Sequence, residues 1–408
     1  MRRDERKCPV LTAAYVPLEP ESAAVFSEVD GVGPDDPSTG RVPNYLRALA
    51  ATHPAAVRPL ARLFDAVLYG GSLPAKTKAA MGLLIARENG SDYLAAHMTR
   101  LLMAAERGRA LLRSLATDQI REKERAALRY AVALTRATAG VSDAEFARTR
   151  TFYTDSRLVE LTIVTGFFNH LARFCQGAGL TLELWVKNPP NALPAAAREK
   201  EDAARVALAS DAEIQMAVKL ANSSPEPARE LESAILNSQR VMLRAPDLDE
   251  AWSSYRQAVL QETTLSGETL LQISFAVSLA NGCRYCLLHH VVGLRRLGVD
   301  PARLRALPTD DAVLAPAERA AVTFARKLTR KPGAIRRADF EALRAELGGD
   351  GEAMDALLQT CAVSFMNRFT DGLRLPCEGE AIRVYQEVYG QGAYHDFPPG
   401  GKTQGAAR

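Results

Sequence analysis

From Pro43 onward, hydrophobic positions recur along this chain with the spacing of amphipathic or buried helices. Alanine, leucine and arginine dominate these segments and favour helices, whereas strand-like alternation of β-branched residues is absent. We therefore predict an all-α fold. The predicted helices cover residues 55–69, 74–88, 197–221, 226–243, 247–261, 266–280, 283–297, 316–330, 337–346 and 352–369.

The helical pattern occurs twice, with matching residues 192 positions apart. The matches are Pro54 with Pro246, Leu73 with Leu265, Asn89-Gly90 with Asn281-Gly282, Tyr93 with Tyr285 and His97 with His289. After short insertions, the segment that starts at Glu124 matches that at Glu318, and Phe168-Asn169 matches Met366-Asn367. Matching anchors separated by a few insertions indicate an internal duplication.

The duplication divides the chain into five regions. Residues 1–42 are rich in proline, glycine and acids and predict an extended arm. The first copy covers residues 43–185 and the second copy residues 241–390, joined by a proline-broken linker with connecting helices at 186–240. A flexible tail is expected at 391–408. We predict that the two copies are tandem helical bundles that form a pseudo-dimer.

Composition and charge exclude several classes of protein. The chain is 47% hydrophobic and 24% charged, and its net charge of +3 includes no long block of one sign. Nothing therefore indicates a nucleic-acid or membrane partner. No apolar run near the N-terminus resembles a signal peptide, so we expect a cytoplasmic protein. A disulfide scaffold is not expected from six cysteines: Cys8, Cys175, Cys283, Cys286, Cys361 and Cys377.

The candidate chemistry lies in the second copy, in the segment NGCRYCLLHH. Cys283 is predicted at a helix start, where free backbone N–H groups favour a thiolate and lower the pKa of the thiol. Cys286 follows one turn later, and His290 lies four residues beyond it on the same face. Two thiols and a histidine that can move a proton are the parts of a dithiol–disulfide site.

The first copy keeps the frame of this segment but not its thiols. Ser91 stands where Cys283 does, and Leu94 where Cys286 does. His97 persists there without thiols, so its counterpart His289 is interpreted as structural, and Tyr285 as a packing residue. We expect the first copy to complete the fold as a built-in partner.

The segment NGCRYCLLHH, with the later Asn367-Arg368-Phe369, resembles the alkylhydroperoxidase D / carboxymuconolactone decarboxylase superfamily. The resemblance implies a helical bundle that often oligomerises, a small-molecule peroxide or disulfide substrate, and a dithiol protein as reductant. It also implies that Cys286 attacks, that Cys283 resolves the intermediate, and that His290 belongs to a proton relay. No cofactor is implied.

The sequence departs from the family pattern at two positions of this relay. The family has a glutamate twelve residues before the first cysteine, where this chain has Leu271; Glu268, one helical turn earlier, is the candidate substitute. The family's peroxidases also have a histidine directly before the second cysteine, where this chain has Tyr285.

Several alternatives to a thiol-dependent oxidoreductase remain at this stage. One is a carboxymuconolactone decarboxylase-like enzyme acting on a small organic acid, although that branch does not depend on a C-x-x-C pair. Another is a non-catalytic assembly protein that senses redox state. The two cysteines could also be small buried core residues. Structural zinc is disfavoured, because ligands crowded on one helical segment cannot surround a tetrahedral ion.

Overall fold

The computed structural model describes residues 42–117, 119–183, 186, 235–395 and 397. Eight helices belong to the described part of the first copy. They are α1 (Asn44–Ala50), α2 (Val57–Tyr69), α3 (Ala75–Glu88), α4 (Asp92–Ala104), α5 (Gly108–Thr117), α6 (Glu122–Arg136), α7 (Asp143–Arg150) and α8 (Asp155–Gly177).

Nine helices follow in the described part after residue 235. They are α9 (Asn237–Met242), α10 (Pro246–Glu262), α11 (Gly267–Asn281), α12 (Arg284–Arg296), α13 (Pro301–Ala306), α14 (Pro316–Arg330), α15 (Arg337–Leu347), α16 (Asp350–Gly372) and α17 (Gly379–Tyr389). The described ranges contain helices, turns and no strand, which confirms the predicted all-α fold. Within these ranges, no helix has both the length and the apolarity needed to cross a bilayer.

Some predictions concern residues outside the described ranges. The extended arm lies outside them apart from residue 42, as do the helix predicted at 197–221 and most of the tail. Of the helix predicted at 226–243, the described part is Asn237–Met242.

Helix α11 is the central helix of the second copy and packs against α12, α14 and α16. Ser266 caps its start by accepting a hydrogen bond from the Thr269 backbone N–H at 3.1 Å. Buried side chains such as Phe275 and Val277 line it, which is why its sequence is apolar on most faces. Gly282 closes it with a φ of 71°, a left-handed conformation that glycine adopts readily. The helix predicted at 266–280 therefore lies within one residue of its observed bounds.

The long helices α8 and α16 bring the two copies together. At Gly166 the ring of Phe365 on α16 comes so close that an added Cβ atom would lie 2.8 Å from it, so any larger residue would have to displace this ring. The ring of Trp252 on α10 stacks on that of Phe365, with the two ring centroids 3.9 Å apart. One continuous hydrophobic core thus contains residues from both copies.

Polar contacts also join the two copies. His53 Nε2 lies 2.8 Å from Asp355 Oδ1, and both side chains are 1% exposed. The guanidinium of Arg368 donates to the Thr135 carbonyl oxygen at 3.0 Å. A buried polar side chain needs a partner, and here the partner is supplied by the other copy. These contacts support the predicted pseudo-dimer, which stays a prediction together with its domain boundaries.

The long helices correct one anchor of the sequence alignment. Both contain 23 residues, and their bounds differ by 195 positions, which matches Glu160 with Asp355. The two carboxylates make equivalent bonds: Glu160 accepts from the backbone N–H groups of 72 and 73, and Asp355 from those of 264 and 265. The alignment of Phe168-Asn169 with Met366-Asn367 was therefore wrong by three residues. Asn169 and Asn367 lie about one helical turn apart on equivalent helices and both face the neighbouring helix, so their surroundings are similar.

Candidate active site

The two cysteines lie at the corner where α11 turns into α12. After the left-handed Gly282, the Cys283 backbone N–H donates to the Ser278 carbonyl oxygen at 2.9 Å and Cys283 becomes the N-cap of α12. The Cys286 backbone N–H points to Cys283 Sγ at 3.5 Å. The prediction of a helix that starts at Cys283 is thus confirmed, and the sulfur stands where a capping oxygen is usually found.

The two thiols converge on one hydroxyl group. Cys283 Sγ lies 3.3 Å and Cys286 Sγ 3.4 Å from Thr370 Oγ1, near the end of α16. Both cysteines are free; Cys283 is fully buried, whereas Cys286 is 6% exposed. The sequence interpretation missed Thr370. It follows directly after the Asn367-Arg368-Phe369 segment that carried part of the family resemblance, so its position was the available signal.

The expected lowering of the Cys283 pKa was wrong. Complete burial raises the pKa of this thiol well above its ordinary value, and its hydrogen bond to Cys286 and the charge of Asp371 raise it further. The hydrogen bond with Thr370 acts in the opposite direction but is smaller. A helix N-terminus favours a thiolate only where the sulfur keeps some solvation, and Cys283 has none.

His290 is partly buried on α12. Its Nε2 atom is buried, and within the described structure it has no hydrogen-bond partner. Burial, and to a smaller extent the charge of His289, lowers the pKa of His290 to about 3. The imidazole is therefore neutral at physiological pH, with one N–H group and one free ring nitrogen, and burial makes that nitrogen a weak base.

Glu268 has its own partners at the start of α11. Its Oε1 accepts a hydrogen bond from Gln272 Nε2 at 3.0 Å and forms an ion pair with Arg303. Leu271, at the family's glutamate position, packs against Gly293 of α12. The proposed relay from Glu268 to His290 stays a prediction, since the hydrogen bonds of Glu268 in the described structure lead elsewhere.

A second histidine is paired with an acid. His289 Nε2 lies 2.7 Å from Glu378 Oε2, and the Tyr285 hydroxyl donates to Glu378 Oε1 at 2.8 Å. Burial by itself would raise the pKa of Glu378, but hydrogen bonds from His289, the Asn237 backbone N–H and Tyr285 together hold it below its usual value. The carboxylate is therefore ionised at neutral pH. The sequence interpretation gave Glu378 no role.

The first copy contains the same cluster without the thiols. Tyr93 and His97 both bind Glu183, the residue 195 positions before Glu378. His97 and Glu183 have side-chain exposures of 2% and 4%, compared with 18% and 23% for His289 and Glu378. A glutamate six residues beyond each long helix was the sequence signal for this cluster. The cluster belongs to the shared frame, but the second copy opens it to solvent.

The exposed pair borders a cleft of about 630 Å³. Its walls come from α12, the start of α17 and the chain before α9, and they include His289, Gly293, Arg296, Glu378 and Gln239. On α12 the lining positions 289, 293 and 296 share one face, and Cys286 lies one turn before them on that face. The cleft is large enough for a small organic ligand.

The similarity of this chain to known proteins is limited. A comparison with curated proteins gave no match. Among solved structures, the chain is similar to the alkylhydroperoxidase AhpD core of an uncharacterized peroxidase-related protein from Ralstonia eutropha JMP134. The identity is 23% over 45% of this chain and 96% of that chain, with a TM-score of 0.37. It is also similar to the debrominase Bmp8 in complex with 2,3,4-tribromopyrrole, with 23% identity over 38% of this chain and 84% of that chain, and a TM-score of 0.34.

The family comparison covers the segment that contains the site. Residues 246–327 match the model of the carboxymuconolactone decarboxylase family. This range begins at α10 and includes both cysteines of the motif and both histidines. The segment of the second copy that contains the site is therefore similar to the carboxymuconolactone decarboxylase family.

Proposed function

We propose that the protein is a cofactor-free, thiol-dependent oxidoreductase that reduces a peroxide or a disulfide through Cys283 and Cys286. The observation that supports this most directly is that both free thiols lie within 3.4 Å of the same Thr370 hydroxyl. Thiols held this close can form a disulfide with little rearrangement of the backbone. The family of the surrounding segment supports an enzyme of related activity.

The different burial of the two cysteines supports different roles for them, one as the attacking and one as the resolving thiol. Cys286 is the more accessible sulfur and is proposed to attack; Cys283 is fully buried and protonated, and is proposed to resolve the intermediate. With a hydroperoxide, the Cys286 thiolate breaks the O–O bond, and a sulfenic acid and an alcohol form when the leaving oxygen takes a proton. Cys283 then attacks the Cys286 sulfur, water leaves, and a disulfide closes. A dithiol protein is the proposed reductant.

Proton transfer at the site is assigned to the two histidines of α12. His290 is proposed as a member of the proton relay because of its spacing four residues after Cys286, and its lowered pKa makes it a weak base in the resting structure. His289 is proposed to protonate the leaving group, because its Nε2 lies 2.7 Å from Glu378 Oε2 and the pair borders the cleft.

The test of this function is mass spectrometry of alkylated peptides before and after one equivalent of hydroperoxide. We expect the peptide that contains Cys283 and Cys286 to lose both alkylation sites and to regain them after dithiothreitol. Cys286→Ser should abolish the loss, whereas Cys361→Ser should leave it unchanged, because Cys361 is buried in the core of α16. Failure of Cys283 and Cys286 to form a reducible disulfide would overturn the proposal.

A second function is favoured by the cleft itself. Glu378 and His289 form a carboxylate–imidazole pair at its wall, an arrangement that suits acid–base chemistry on a small organic acid without a thiol step. In this carboxymuconolactone decarboxylase-like alternative, activity survives Cys286→Ser and is lost in His289→Gln. The opposite dependence on Cys286 supports the oxidoreductase.

A further inference from the structure

Thr370 is in direct contact with both sulfurs of the site. It is 1% exposed and lies on α16, 87 residues after Cys283 and 84 after Cys286. Its hydroxyl also lies 3.0 Å from the Met366 carbonyl oxygen, one turn earlier on the helix. It also lies 3.4 Å from the Asn367 carbonyl oxygen, so four potential partners surround a single hydroxyl group.

The proton count of the hydroxyl restricts how these partners are used. A threonine hydroxyl has one proton to donate and two lone pairs to accept with, and a carbonyl oxygen can only accept. While the hydroxyl donates to Met366, it can accept an S–H proton from either cysteine. Once one sulfur is a thiolate, that sulfur can only accept, and rotation about the Cβ–Oγ1 bond of Thr370 can aim the hydroxyl proton at it.

The first copy shows that a hydroxyl at this position accompanies the thiols. Because α8 and α16 correspond with an offset of 195, the residue equivalent to Thr370 is Cys175. The first copy therefore has Ser91 and Leu94 in place of the two thiols and a thiol in place of the hydroxyl. The hydroxyl at this point of the long helix occurs in the copy that contains the C-x-x-C pair.

We propose that Thr370 is a catalytic residue of the dithiol site, whose hydroxyl hydrogen-bonds the attacking Cys286 thiolate and holds Cys283 beside it for disulfide closure. The proposal rests on the proposed thiol chemistry and adds a third group to it. In the dithiol state the hydroxyl donates to Met366 and accepts an S–H proton. When Cys286 ionises, the hydroxyl turns to donate to its sulfur. After the disulfide forms, neither sulfur has a proton and the hydroxyl returns to Met366; Thr370 itself neither gains nor loses a proton.

The experiment is the pH dependence of Cys286 alkylation by iodoacetamide, measured by mass spectrometry in a Cys283→Ser background. Thr370→Val removes the hydroxyl and keeps the shape of the side chain. We expect the pH midpoint of alkylation to rise by about one unit, an approximately tenfold slower reaction at neutral pH, since one pKa unit corresponds to about 1.4 kcal/mol. Thr370→Ser keeps the hydroxyl and should restore the original midpoint.

Thr360→Val is the matched control. Thr360 is fully buried on the same helix, and its hydroxyl donates to the Ala356 carbonyl oxygen at 2.7 Å, as that of Thr370 does to Met366. This variant should leave the midpoint unchanged. Equal midpoints for Thr370→Val and Thr360→Val would overturn the proposal. If Thr370→Val does not fold, Thr370→Ala replaces it with the same expected and contrary results.

Alkylation by iodoacetamide needs neither a peroxide nor a reductant. The two proposals can therefore be refuted separately. If the disulfide forms with peroxide but the alkylation midpoint does not depend on Thr370, the role of Thr370 is refuted. If the midpoint depends on Thr370 but no disulfide forms, the oxidoreductase function is refuted. A second readout is the redox equilibrium with glutathione. Loss of a hydrogen bond to the thiolate weakens the reduced state, so Thr370→Val should stay oxidised at a higher ratio of reduced to oxidised glutathione; an unchanged equilibrium would count against the proposal.

Discussion

The buried ion pair between His53 and Asp355 gives a quantitative test of how the two copies are joined. Asp355→Ala removes a carboxylate that is 1% exposed and lies 2.8 Å from a histidine of the first copy. Its other oxygen accepts hydrogen bonds from the Thr264 backbone N–H at 2.8 Å and from that of Leu265 at 3.2 Å. The substitution thus leaves a buried imidazole and two backbone donors without this acceptor.

The structure sets the expected size of the effect. Removing a buried carboxylate leaves each hydrogen-bond donor that it served without a partner, at a cost of about 1–3 kcal/mol of the free energy of unfolding per donor. Asp355→Asn keeps an oxygen that can accept from the backbone donors, so its cost should be smaller, about 1–3 kcal/mol. As a control, Glu387→Ala breaks an exposed pair with Arg383 and should cost no more than about 1 kcal/mol.

The assay is urea unfolding followed by far-UV circular dichroism, with each variant compared with the parent protein. Burial by itself would raise the pKa of Asp355, but hydrogen bonds from His53 and the Thr264 backbone N–H hold it below its usual value. A depressed carboxyl pKa gives stability that is present above the unfolded-state value of about 3.9 and is lost as the pH falls below it. The gap between parent and Asp355→Asn should therefore narrow below about pH 4.

The reasoning would be refuted if Asp355→Ala unfolded at the same urea concentration as Glu387→Ala. That result would mean that the His53 contact does not hold the copies together, and the pseudo-dimer would lose one of its polar links.

Three further predictions concern the site and the packing beside it. His289→Gln should slow peroxide reduction by about 10²-fold, the lower range for loss of a general acid, whereas its counterpart His97→Gln should not; equal turnover of the two variants would contradict the assignment. In the parent protein, iodoacetamide at neutral pH should modify Cys286 well before Cys283, because burial raises the pKa of the latter; peptide mapping that finds Cys283 modified first would oppose the proposed roles. Gly166→Val should lower the free energy of unfolding by about 1–3 kcal/mol through overpacking against α16, measured by urea unfolding. A variant that unfolds at the same urea concentration as the parent protein would show that the long helices are not in close contact.

Much of the local structure could be predicted from residue order. The start of α12 at Cys283 follows from the Asn281-Gly282 stop signal, since glycine permits the left-handed turn that ends α11. The apolar character of α11 predicted a buried central helix because each of its faces meets another helix. The 192-residue repeat also located the equivalent helix corner, where Ser91 caps α4 as Cys283 caps α12.

Predictions about the environment of single side chains were less successful. The prediction of a lowered pKa for Cys283 took into account its position at a helix start but not its burial by the rest of the fold. The pairing of His289 with Glu378 at a cleft wall was not predicted, and its interpretation as structural stays a prediction. The alignment of Asn169 with Asn367 was wrong because these asparagines make similar contacts one turn apart on equivalent helices: each accepts a hydrogen bond from the asparagine at the helix corner.

The sequence by itself determined the all-α class, the order of the helices and the corner that places two thiols one turn apart, because all of these depend on neighbours within a few residues. The tertiary structure alone decided what surrounds those thiols. Thr370 and Glu378 come from 87 and 89 residues beyond Cys283 and His289, and packing of α16 and α17 on α12 brings them to the site. Burial by those helices also reverses the effect of the helix start on Cys283, since desolvation depends on the whole packed core and not on local order.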